Sequence, residues 1–334
     1  MIRNARALTP DFVPEELWHR DGQIGALSAA LRPLVQGSRG THVIITGPSG
    51  VGKTTLARHV VQELERKAFD VTSGYVNCIS DSTHSQALSA LLRDSGRGAD
   101  LRPEGTPTSA FIDRLRRLDS QFVALVDEVD ILEDPLMLSA LYDVSNVTLV
   151  LITVNEDDLL ADLDSRVQSR LMSAQRIHLE KYHHAELCDI LQARVDVGLA
   201  PGTVSSLVVE RAADIAAGDA RTGIVLLGRA VQRAQDEGRT SVTCADVDES
   251  RESALRAIHE RNVVTLSTHQ RVLYEILREA GELSAHELHE RYEELAGSPR
   301  SQRSRRRYLR GLERYKMIRK LRSGGGTRYE FRGY

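Results

Sequence analysis

Residues 41–58 read THVIITGPSGVGKTTLAR. The β-branched run at 43–45 is a strand signal, GPSG is a glycine-rich turn, and KTTLAR opens a helical pattern, so the layout is strand, loop, helix. Gly47, Gly52, Lys53 and Thr54 satisfy the phosphate-loop pattern G-x-x-x-x-G-K-[ST], and the strand–loop–helix context is the one this pattern requires. A loop running Gly47, Pro48, Ser49, Gly50, Val51, Gly52 into Lys53, Thr54 and Thr55 can turn its backbone N–H groups inward around phosphates at a helix N-terminus. Lys53 then reaches the β- and γ-phosphates, and the Thr54 hydroxyl ligates Mg2+. The expected cofactors are ATP or ADP with Mg2+.

Working outward, short apolar runs at YVNC (75–78), FVALVD (122–127) and VTLVLITV (147–154) lie between helical patterns, as in a parallel sheet covered on both faces. FVALVDEVD ends a strand in Asp127 and Glu128. Asp127 is placed to hold the magnesium ion and Glu128 to orient and activate water. The next strand runs out at Asn155, which either positions that water and senses the γ-phosphate or caps the turn NEDD. Residues 79–121 read mostly as loop. From about 183 to 260 strand signals stop, and amphipathic stretches such as HAELCDILQARV suggest a small helical bundle. After it come three helical segments and then MIRKLRSGGGTRYEF, a hairpin with a glycine-rich tip, which is the winged-helix order.

The whole chain of 334 residues carries a net charge of −3, but residues 297–334 hold thirteen basic against two acidic side chains, leaving −14 on the rest. Within SPRSQRSRRRYLRGLERYK (298–316) stand seven arginines and a lysine. No apolar run approaches the ~20 residues of a membrane span. Cys78, Cys188 and Cys244 have no paired spacing, so a soluble, reducing, cytoplasmic setting is expected. His286 and His289 lack the companions of a metal site.

GPSGVGKT, YVNC, VDEVD, LITVN, LDSRVQSRL, KYHHAELCDILQAR and GDARTGIVLLGRA, in this order, resemble the archaeal origin-recognition/cell-division-control initiators, AAA+ ATPases that mark replication origins. The resemblance implies an α/β AAA+ P-loop parallel-sheet domain (1–180), an α-helical lid (181–262) and a C-terminal winged-helix domain (263–334). It also implies that Asn155 is a first sensor, that Arg221 is a second sensor reaching the γ-phosphate, and that Arg170, ahead of Arg166, is an arginine finger for a neighbouring subunit. Tyr182 and Arg194, with Val13 and Arg20 near the N-terminus, match family positions that contact the nucleotide. Implied partners are double-stranded origin DNA in the nucleoid, the replicative helicase, and further copies or paralogues on DNA.

If the segment 298–316 is helical, Arg303, Arg307, Arg310 and Arg314 fall on one face, while Tyr308, Leu312 and Tyr315 share another. The expectation is that the arginines enter a major groove, with Ser301, Gln302 and Ser304 near the helix start, and that Arg322 and Arg328 beside the hairpin tip meet a minor groove or backbone. The reading is an ATP-dependent initiator with slow ATP hydrolysis. A transcription regulator with a structural nucleotide site, or a clamp-loader-like remodelling ATPase, stands as the alternative.

Overall fold

The structure, a computed structural model, describes residues 1–161, 163–323 and 326–333. The first unit contains α1 (Asp21–Leu31), β1 (Val43–Thr46), α2 (Lys53–Lys67), β2 (Val71–Asn77), α3 (His84–Asp94), α4 (Thr108–Arg116), β3 (Gln121–Asp127), α5 (Leu136–Tyr142), β4 (Val147–Ile152), α6 (Glu156–Ala161), α7 (Ser165–Leu171) and β5 (Gln175–His178). Its strands form one parallel sheet in the order β2-β3-β4-β1-β5. β1 and β4 are near-continuous apolar runs because both faces are covered. Val43, Ile45 and Val150 pack with α1 and α2 on one side, while Ile44, Leu149 and Leu151 join the core on the other.

Two departures from the sequence reading stand out. Within residues 79–121 the stretch 95–107 is loop, as read, but two helices, α3 and α4, flank it, and Thr83 and Gln86 form a reciprocal capping box at the start of α3. The fifth strand, QRIH, buries Ile177 and is otherwise exposed or half-buried, since it lies at the sheet edge and shows no hydrophobic run.

The lid is α8 (His184–Gly198), α9 (Ser206–Ala216), α10 (Ala220–Asp236), α11 (Cys244–Glu249) and α12 (Arg251–Thr265). Its core takes in Leu8 from a single helical turn at Ala5–Leu8, and Arg3 and Asn4 donate their backbone N–H groups to the Gly198 carbonyl at 2.8 and 3.0 Å. The first eight residues therefore belong with the lid in space.

The C-terminal unit is α13 (Thr268–Ala280), β6 (Glu282–Ser284), α14 (Ala285–Leu295), α15 (Gln302–Arg314), β7 (Ile318–Ser323) and β8 (Gly326–Phe331), with an antiparallel sheet ordered β6-β8-β7. Ser301 accepts from the Ser304 N–H and so caps α15. Tyr308 and Leu312 are buried, as their stripe predicts, and they sit in the same core as Ile44 and Leu151 of the parallel sheet. The C-terminal unit is thus docked on the α/β unit.

Candidate active site

A cavity of about 970 Å³ opens at the carboxyl edge of the sheet and is lined by all three units. The phosphate loop forms its floor. Gly47 has φ +141°, and a Cβ there would stand 2.2 Å from the Leu179 carbonyl oxygen, so no other residue fits beside β5's exit. Ser49, Gly50, Gly52, Lys53, Thr54 and Thr55 face the cavity. Val51 instead anchors the loop in the core, and Gly47 and Pro48 offer their carbonyls to the Lys53 ammonium at 2.8 and 2.7 Å. Burial lowers the Lys53 pKa, with Glu128 and Asp127 pulling it back up.

Above the loop, the Thr54 hydroxyl donates to the Asp127 carboxylate at 2.7 Å, and the same carboxylate oxygen accepts from the Tyr75 phenol at 3.0 Å. Burial and the charge of Asp127 push the Tyr75 pKa far above its usual value, so the phenol stays a donor. Arg58 stacks on the Tyr75 ring at 3.8 Å. Sequence reasoning missed Tyr75 as a site residue, although it opens the quoted YVNC. Thr54 and Asp127 form a close pair of hard oxygen donors, which suits Mg2+.

The other end of the cavity is aromatic and cationic. Arg20 stacks over the Tyr182 ring at 3.9 Å, donates to the Tyr182 hydroxyl at 3.1 Å and ties down the Glu180 and Val51 carbonyls. Arg194 lies over the Phe12 ring at 5.0 Å, and burial lowers its pKa to about 10. Phe12, Val13 and Trp18 also line the cavity, as does Arg221 from α10. Asp219 caps α10 through the Thr222 N–H at 3.0 Å while Ala220 donates to the Gly50 carbonyl at 3.1 Å, so the lid is fastened to the loop itself.

Three site candidates lie outside this cavity, two of them, Arg170 and Arg166, read as offered to a neighbouring subunit. Asn155 does not line the cavity; its side-chain oxygen accepts from the Asp157 N–H at 2.9 Å at the start of α6, which is the capping alternative. Arg170 is held by Asp143 at 2.8 Å and by Ser139, both on or beside α5. Arg166 is exposed.

The arginine face of α15 requires a correction. Arg307 and Arg314 do not point outward: Arg307 is 2% exposed and donates to the Leu132 and Glu133 carbonyls, and Arg314 is clamped between Glu128 and Asp130. A helical wheel shows which residues share a face but not that a second domain covers it. Arg303 and Arg322 are exposed, Arg310 is half-buried, and Arg328 pairs with Glu282.

Glu128 is the centre of this junction. Its backbone has φ +51°, uncommon for a side chain of this size. One carboxylate oxygen accepts from Arg314 at 2.5 Å and the other from the Tyr315 hydroxyl at 3.2 Å. Burial raises the Glu128 pKa, opposed by Arg314, with Asp127 and Asp130 adding to the rise. Although its own burial acts the other way, Arg314 is held above the usual guanidinium value by its bonds to Asp130 and Glu128. Asp130 also accepts from the Thr153 hydroxyl at 2.7 Å. Neither Asp130 nor Tyr315 was legible as a site residue, because their partners lie 184 and 187 positions away along the chain.

The chain is similar to known proteins along nearly its whole length. A family model described as an AAA domain matches residues 36–161, and a Cdc6 AAA+ ATPase-type lid domain matches 188–252. ORC1-type DNA replication protein 9 of Halobacterium salinarum is 37% identical over 95% of this chain and 90% of its own length; ORC1-type DNA replication protein 1 of the same organism is 38% identical over 91% and 99%. The structure of the Aeropyrum pernix ORC1 protein in complex with DNA superposes with a TM-score of 0.74 at 27% identity, covering 98% of this chain and 92% of that one. Thermotoga maritima RuvB shares the fold at a TM-score of 0.55 and 19% identity over 95% of each chain. With a nucleotide-sized cavity floored by a phosphate loop, a Cdc6-type lid fastened to that loop, and relatives matched almost end to end, the chain belongs to the ORC1-type DNA replication protein family of AAA+ ATPases.

Proposed function

We propose that this protein is an ATP-dependent, DNA-binding replication initiator. ATP bound between the α/β unit and the lid fixes the relation of the domains, the C-terminal unit acts as a winged helix on duplex origin DNA, and slow hydrolysis resets the switch. The observation that carries this reading is that one cavity collects Lys53, Thr54, Asp127 and Glu128 from the first unit, Arg221 from the lid and Tyr315 from the third. Occupancy of such a cavity bears on all three.

In this reading Lys53 exchanges the Gly47 and Pro48 carbonyls for phosphate oxygens, and the loop's N–H groups bind the remainder. Thr54 and Asp127 would hold Mg2+, which would supply positive charge against that building on the phosphates. Glu128 takes a proton from the attacking water; a carboxylate whose pKa is raised by burial is a stronger base than one in water. Arg221 compensates charge at the γ-phosphate, and Tyr182, Arg20, Arg194 and Val13 hold the base. The charge of +11 on residues 297–334, with Arg303 and Arg322 exposed, supports a phosphate-binding surface, as does the likeness to the Aeropyrum protein solved with DNA.

Footprinting with ATP, at several salt concentrations, on the DNA flanking the protein's own gene and on random duplex of equal length tests the DNA part. Protection of a discrete repeat in the flanking DNA alone is expected; equal protection of both would replace origin recognition by phosphate gripping. ATP turnover abolished by Glu128→Gln, with nucleotide still bound, is expected for the enzymatic part, and turnover unaffected by that change would refute it.

A further inference from the structure

Helix α15 does more than pack on the ATPase unit. Arg314 and Tyr315 together engage both oxygens of the Glu128 carboxylate, Arg314 is also tied to Asp130, and two helical turns earlier Tyr308 donates to the Glu133 carboxylate while Arg307 holds the Leu132 and Glu133 carbonyls. The segment that supplies the general base, residues 128–133, is therefore gripped along its length by the most arginine-rich helix of the chain.

We propose that α15 is a latch on the ATPase centre: while it is docked, Arg314 and Tyr315 hold Glu128 away from the attacking water, and duplex DNA, competing for the arginines of α15, releases it. This rests on the reading of the cavity as an ATPase site and of the C-terminal unit as a DNA binder. A general base must offer a lone pair to water in the right direction, and a carboxylate with one fixed protein donor on each oxygen has about half of its lone-pair sites taken and its orientation locked. Arg314 and Glu128 side chains are each 12% exposed and that of Asp130 3%, so water competes weakly for the pair. A polyanion is a stronger competitor. DNA presents phosphates at a density that several arginines of one helix can meet together, and each arginine transferred to phosphate is one removed from the 128–133 segment. The coupling is reciprocal: whatever DNA does to the latch, release of the latch does to DNA affinity. Arg314 is thus a positioning residue, acting on the reaction through Glu128.

The test is steady-state ATP turnover by the full chain, wild type against Arg314→Ala, Arg314→Lys and Tyr315→Phe, without DNA and with saturating duplex. A fluorescent ADP analogue reports nucleotide affinity in each. Expected for the wild type is a low kcat that rises about fivefold or more with DNA, and for Arg314→Ala a kcat already raised by that factor without DNA, at an ATP KM within about twofold of wild type. Arg314→Lys, keeping the charge, returns toward wild type, and Tyr315→Phe, losing one hydroxyl, gives a smaller rise. If Arg314→Ala does not fold, Tyr315→Phe decides by the sign of its change. A nucleotide-binding Arg314→Ala that turns over no faster than wild type, or a wild-type kcat that DNA leaves unchanged, overturns the latch while leaving the ATPase reading intact. Absence of turnover in the wild type and all variants, with nucleotide bound, overturns both.

Discussion

Replacing Gly50 by alanine puts a methyl group where the Asp219 carboxylate stands. Gly50 has φ +80°, and a Cβ built there lies 2.1 Å from one Asp219 carboxylate oxygen and 2.3 Å from its Cγ. The left-handed backbone alone costs an alanine about 1 kcal/mol. The carboxylate must also swing off the Thr222 N–H it caps at 3.0 Å, and losing such a cap costs about 1–2 kcal/mol. The loop escapes by leaving its native path, and only that path presents its N–H groups to phosphate. The cost therefore appears in affinity: about 2–3 kcal/mol, or roughly 30- to 140-fold in Kd. Titration with a fluorescent ATP analogue measures it. The double variant Gly50→Ala/Asp219→Gly removes the collision and keeps the backbone cost, and since glycine at an N-cap loses only a few tenths of a kcal/mol, about fivefold of the affinity should return. A single variant that binds within about twofold of wild type, or a double variant no better than the single, would refute the geometry.

Arg307→Met keeps the buried stem but removes the charged donor from the Leu132 and Glu133 carbonyls; at about 1–2 kcal/mol for each carbonyl left short, it should lower stability by roughly 2–4 kcal/mol and loosen the C-terminal unit. An unchanged melting temperature, or unchanged protease resistance of the 296–301 connection, would argue that the docking is not held there. His42 accepts the Leu149 N–H at 2.9 Å and faces the Arg39 guanidinium at 2.7 Å, and burial with Arg39's charge lowers its pKa to about 4. The unfolded chain takes up a proton near pH 6.5 that the folded chain refuses until about pH 4, so this contribution is complete above pH 6.5 and is lost as pH falls, by about 2 kcal/mol at pH 5. Urea unfolding at pH 7.5 and 5.0 checks it, with His42→Gln expected to lose less between the two; an equal loss would show that the charge on His42 is not what destabilises the acid form.

What could be read from the chain divides along a physical line. The phosphate loop, Asp127 and the strands β1, β3 and β4 were legible because local sequence specifies them: glycine where φ is positive, apolar runs where both faces are covered. Tyr182, Arg194, Arg20 and Val13 came from resemblance, and the structure gathers them around one cavity. β5 was not legible, since an edge strand with a single buried side chain carries no period. The helices α3 and α4 were hidden by the glycine-rich run between them, although the T-x-x-Q cap was there to be read. The inward turn of Arg307 and Arg314 lies beyond any local rule: an arginine stripe reads the same whether it faces solvent, phosphate or a neighbouring carboxylate, and only the placement of another domain decides.

The N-terminal turn carries a consequence for synthesis. Arg194 reaches the Ala7 carbonyl across 187 positions of sequence, and Leu8 is finished only when the helices of the lid close around it. On the ribosome residues 1–8 emerge well before their main partners on α8, the first helix of the lid, which follow after roughly 10–40 s at ordinary elongation rates. Throughout that interval Ala7 and Leu8 are open to chaperones, and the α/β unit can complete its sheet while the lid still waits for the start of the chain to return.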